Sequence, residues 1–107
     1  MIAAYFFTAK NGDLLGFSIS GHAEWGISGD DIVCSAVSSA AFMTANTITD
    51  IIGVSADVTI DKTGSMILKI SPNDSYRCRE ILLGFKLHMV ILEDQYPENI
   101  KVNYTEV

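Results

Sequence analysis

Cysteine, histidine and basic residues are scarce in this 107-residue chain. It holds two cysteines, Cys34 and Cys78, two histidines, His22 and His88, and seven lysines and arginines against thirteen acidic residues. Two cysteines allow one disulfide, but the opening MIAAYFFTAK is short, lacks a basic n-region and a cleavage site, and does not read as a signal peptide. A reduced, cytoplasmic protein is therefore expected. Zinc needs three or four ligands, and the chain has neither CxxC nor HxxxH. Cys78 and His88 fall on different faces of one helical segment, so no metal and no cofactor is expected. The formal charge of −6 argues against a nucleic-acid backbone as direct partner and against an anionic membrane surface. It suits a basic partner. No unbroken apolar run reaches the ~18 residues of a membrane span. Linkers, low-complexity tracts and fixed repeats are also missing, which leaves one domain over residues 1–107.

Nearly half the residues, 49%, are apolar, enough for a core without staples. Residues 2–9 read as a strand from their aromatic and apolar content. Asn11-Gly12 signals a hairpin. In 14–20, Leu15, Phe17 and Ile19 alternate with Gly16, Ser18 and Ser20. Residues 21–29 are a glycine-rich loop carrying Trp25. A helix follows, capped by Ser28 or Asp30, with apolar Val33, Val37, Ala40, Ala41, Ile48, Ile51 and Ile52 at helical spacing and Gly53 as its stop. Its middle is small (Ser35, Ala36, Ser38, Ser39, Ala40, Ala41), which lets it lie flat on a sheet. A second hairpin alternates Ala56, Val58 and Ile60, turns at 62–64, and resumes with Met66, Leu68 and Ile70. Pro72-Asn73-Asp74 opens a second helix striped by Cys78, Leu82, Phe85, Met89, Leu92 and Tyr96. Leu83, Leu87, Val90 and Ile91 add apolar surface that one sheet cannot cover, so the domain or a second copy must. Pro97 ends that helix, and Ile100, Val102 and Tyr104 form a last strand. The order β-β-α-β-β-α-β implies an α+β domain, a mixed sheet with both helices on one face.

Chemistry concentrates in GHAEWGISGDDIVCSAVS, residues 21–38. A helix starting near Asp30 or Asp31 puts Cys34 in its first turn, where unpaired N–H groups favour thiolate over thiol. Asp30 and Asp31 oppose this, because nearby negative charge raises a thiol pKa. A base is needed, and His22 is the obvious one. The twelve-residue gap contains Gly26 and Gly29 and can fold back to bring imidazole to sulfur. Ser38, four residues after Cys34, shares its helix face. Each residue also has a plainer reading. A helical cysteine is most often a small buried hydrophobe, a loop histidine a surface residue, Ser38 a packing residue, and Asp31 a helix-end charge. A thiol redox sensor built on Cys34 and Cys78 is a further reading.

The segment Gly21-His22-Ala23, followed by G-x-D-I-V-C-x-A-V-S at 29–38, closely resembles the ribosomal-processing cysteine protease family Prp. Length and element order extend the resemblance over nearly the whole chain. It implies a cytoplasmic cysteine endopeptidase, a homodimer, that removes the N-terminal extension of one large-subunit ribosomal protein. His22 matches the family's catalytic histidine and Cys34 its nucleophile. Gly21, Asp31 and Ser38 match motif positions expected to support the site or bind substrate. Trp25 stands where tyrosine is common, and Ser35 where alanine is. The competing expectation is a non-catalytic module that docks on a ribosome-assembly intermediate.

Overall fold

The computed structural model describes residues 1–21 and 30–107, with side chains at all of these except positions 30 and 31. The elements are β1 (Ile2–Thr8), β2 (Leu14–Ser20), α1 (Asp30–Asn46) with a π-helical extension (Thr47–Ile52), β3 (Asp57–Ile60), β4 (Met66–Lys69), α2 (Ser75–Gln95) and β5 (Ile100–Glu106). A single 3₁₀ turn, Pro72–Asp74, leads into α2, and the Ser71 hydroxyl accepts the Asn73 N–H there. This is the expected β-β-α-β-β-α-β order.

One sheet of order β3-β4-β2-β1-β5 carries both helices on one face. Three pairings are antiparallel and β1–β5 is parallel, so the sheet is mixed. Period-2 alternation sends Ala4, Phe6, Phe17, Ile19, Met66, Leu68 and Ile100 to the helix side. There they meet Val33, Val37, Ala41 and Ile48 of α1 and its extension, and Cys78, Leu82, Phe85, Met89 and Leu92 of α2. Phe85 packs edge-on against Phe6 and Phe17, at centroid distances of 5.6 and 4.7 Å.

The structure refines the pattern in several places. A bulge between the Phe7 and Thr8 pairings breaks the alternation: Leu14 joins the main core cluster, and Leu15 is buried outside it. Ile51 has helical spacing but is 79% exposed. The wider π turn shifts the register there, and Gly53, at φ +80°, ends the element in the left-handed region. Val58 and Ile60 alternate as expected yet stay exposed, because β3 is an edge strand. At the other edge, the Val102 N–H donates to a Glu93 carboxylate oxygen at 2.7 Å. That occupies a donor which a foreign strand would otherwise use.

The segment Ile32–Ile52 differs from the expectation in another respect. It has the length and mean hydropathy (1.3) to cross a membrane. Its Ala, Val, Ile, Phe and Met residues raise the average, while the Ser and Thr residues between them break any continuous apolar run. Threonines in this stretch return their hydroxyls to the backbone, Thr44 to the Ala40 carbonyl at 2.8 Å and Thr47 to Met43 at 2.7 Å. Its buried stripe lies on the sheet.

Phe85 joins both layers, so Phe85→Ala should cost about 3–5 kcal/mol. Urea unfolding monitored by circular dichroism measures this. A cost below about 1 kcal/mol would mean that the aromatic cluster is not the centre of the core.

Candidate active site

Three strand ends meet at one edge of the molecule. Ile2 opens β1, Gly21 follows the last residue of β2, and Asn99 precedes β5. The parallel register pairs Ile2 with Ile100, and the Ile2 N–H donates to the Asn99 carbonyl at 2.7 Å. The turn before β5 is fastened by Asn99 and Ile100, whose N–H groups donate to the Tyr96 carbonyl at 2.9 and 3.1 Å. The beginning of α1 lies over this junction. Between them is a cavity of about 220 Å³, lined by Met1, Ile2, Gly21, Val33, Cys34, Glu98 and Asn99.

Cys34 is 4% exposed and reaches solvent through this cavity. Neither cysteine is in a disulfide. α1 runs from Asp30, as expected, and Cys34 is its fifth residue, just past the first turn. The helix-end field falls off within the first turn, so less of any thiol activation can come from it.

Gly21 has φ +96°, and a Cβ there would run into the Met1 carbonyl oxygen. Glycine at this position is thus required twice, by backbone conformation and by the closeness of the β1 start. Ser38 is half-buried one turn beyond Cys34. His22, and with it Trp25, Ser28 and the rest of 22–29, lies outside the described residues, as do the side chains of Asp30 and Asp31. The structure therefore brings together Gly21 and Cys34 of the expected set. Glu98 and Asn99 were not anticipated. The only signal for them was the last strand, whose parallel register against β1 brings the residues before it to the thiol.

Cys78 occupies a different environment. It is fully buried under α2, and burial raises its thiol pKa. The Asp74 carboxylate adds to the rise and Arg77 opposes it. A sealed thiol held protonated suits core packing rather than nucleophilic work.

An α+β domain with a cysteine on a cavity wall, beside the ends of three strands, has the layout of a thiol-dependent hydrolase. The model of the family described as cysteine protease Prp matches residues 1–101. The ribosomal processing cysteine protease Prp of Staphylococcus aureus is 31% identical over 88 residues, covering 80% of this chain and 82% of the relative. The crystal structure of an essential ribosomal processing protease Prp from the same organism, in complex with a substrate peptide, aligns with a TM-score of 0.88 and 25% identity. That alignment covers 98% of this chain and 100% of the other. A second S. aureus Prp structure, with a covalently linked product peptide, gives 0.86 and 26% over the same shares. A Streptococcus mutans structure shares the fold, with a TM-score of 0.86 over 100% of this chain and 96% of its own. The chain belongs to the cysteine protease Prp family and is a cysteine protease.

Gly21 and Gly53 both hold positive φ, but only Gly21 has a backbone atom in the way of a Cβ. Gly53→Ala should therefore cost about 1 kcal/mol and Gly21→Ala clearly more. Chemical denaturation of the two variants side by side checks the order. Equal costs would show that Met1 yields freely.

Proposed function

We propose that this chain is a cytoplasmic endopeptidase that removes the short N-terminal extension of a large-subunit ribosomal protein, with Cys34 as nucleophile and His22 as its base. The observation that carries the reading is the position of Cys34 on the wall of an accessible cavity that also contains Gly21, the residue bonded to His22. In this mechanism the imidazole of His22 takes the Cys34 proton, and the thiolate attacks the scissile carbonyl carbon. The imidazolium returns the proton to the departing amine, leaving a thioester. Water, deprotonated by the same imidazole, attacks the thioester and frees the enzyme. No cofactor or metal enters any step. Gly21 lets the chain leave β2 towards the site. Asp31 and Ser38 support it, Ser38 from the helix face of Cys34.

The substrate assignment is supported by the S. aureus relative, a ribosomal processing protease crystallised with a substrate peptide. The charge of −6 is complementary to a basic ribosomal protein. The same charge disfavours direct contact with nucleic acid or an anionic membrane. Two copies pair as a homodimer in this reading, covering the exposed Leu83, Leu87, Val90 and Ile91 of α2.

A synthetic peptide spanning the extension should be cut once by the purified chain. Cys34→Ser should abolish cleavage while retaining binding, and His22→Ala should slow it by about 10²–10⁴-fold. Mass spectrometry of the products checks this. Binding without cleavage by the unmodified chain would favour a docking module instead. Iodoacetamide should label Cys34 well before Cys78, and equal rates would count against an activated thiol.

A further inference from the structure

We propose that the Cys34 cavity selects cationic groups and that Glu98 makes the selection. The substrate half of this proposal rests on the protease reading: Glu98 receives a lysine or arginine side chain of the bound peptide close to the scissile bond.

Glu98 is exposed at the cavity wall, between Pro97 and the fastened Asn99. Its carboxylate takes part in no hydrogen bond or ion pair among the described residues. Among the other described wall residues, Ile2, Gly21, Val33 and Asn99 carry no charge, and Met1 brings only the amino terminus. The sulfur and one carboxylate thus face the same small space. A cavity of about 220 Å³ is roughly 7 Å across, less than the screening length of about 8 Å at physiological salt. The carboxylate's field therefore reaches the sulfur.

That field has two consequences. In the free protein it opposes thiolate formation, because like charges disfavour one another. When a cation enters, the carboxylate is neutralised and the opposition is lifted. A charge that hinders the nucleophile until a cationic side chain arrives couples specificity to reactivity. The turn that carries Glu98 is held by three backbone hydrogen bonds, from Asn99 and Ile100 to Tyr96 and from Ile2 to Asn99. The backbone that carries Glu98 is consequently anchored beside the start of β1 rather than on a loose loop.

The test uses two methanethiosulfonates of equal size, one carrying trimethylammonium and one carrying sulfonate. Each reacts with the Cys34 thiolate to form a mixed disulfide, releasing methanesulfinate, and peptide mapping assigns the site. The ratio of the cationic to the anionic rate is the readout. Glu98→Gln should lower it about fivefold, and Glu98→Lys should lower it further. Glu106→Gln makes the same change in net charge at the far end of β5, about 20 Å away, and should leave the ratio nearly unchanged. A shift in Glu98→Gln no larger than in Glu106→Gln overturns the proposal. So does failure of both reagents to reach Cys34, since the cavity would then not admit a charged group.

A peptide library read by mass spectrometry tests the substrate half. Lysine or arginine should be enriched at one fixed position near the cut and lose that enrichment in Glu98→Gln. Cutting without such a preference overturns that half. A reagent ratio that shifts while no peptide is cut upholds cation selection and removes the protease reading beneath it.

Discussion

The Ile2 N–H donates to the Asn99 carbonyl, and the candidate site depends on the parallel pairing that starts there. This bond joins the two ends of the chain. β1 cannot meet β5 until everything between them has been folded into place, because parallel neighbours need a crossover and here the crossover includes α2. Loop closure over so many residues is entropically costly. The apolar stripe of α2 offsets it, seating Leu82, Phe85 and Met89 on Phe6 and Phe17. Once the register is set, the residues before β5, the start of β1 and the end of β2 coincide. The cavity wall is a consequence of that coincidence.

α1 supplies Cys34 to this junction. Its small residues allow a close approach to the sheet, and its buried stripe holds Val33 and Val37 beside Cys34. The thiol is anchored by packing on one side and opens to the cavity on the other. The electrostatics around it are mixed. Cys34 lies one turn inside the described helix, where the N-terminal field has weakened. Glu98 adds negative charge at the wall of the same cavity. A glycine of positive φ, Gly21, immediately precedes His22 at the same junction.

The contrast between the two cysteines shows why composition cannot rank them. Both are apolar in character, both are helical, and both are buried. One adjoins a cavity lined by strand ends, and the other is enclosed under α2. Their surroundings differ, and distant parts of the chain contribute the difference.

Local signals were enough for the elements. Period-2 alternation, the Asn11-Gly12 turn, the glycine stop at 53 and the Pro72 and Pro97 boundaries give the order of strands and helices, because each depends on residues close in sequence. The motif around His22 and Cys34 gave the family for the same reason, as it is a short contiguous pattern. Local signals failed where burial depended on neighbours. Val58 and Ile60 alternate correctly but sit at an edge, and Ile51 keeps helical spacing through a turn that is no longer α-helical. Glu98 and Asn99 carry no local mark at all. Their place beside Cys34 was decided by the β1–β5 register, a pairing of residues nearly a hundred positions apart, which only the packing of α2 across the sheet selects.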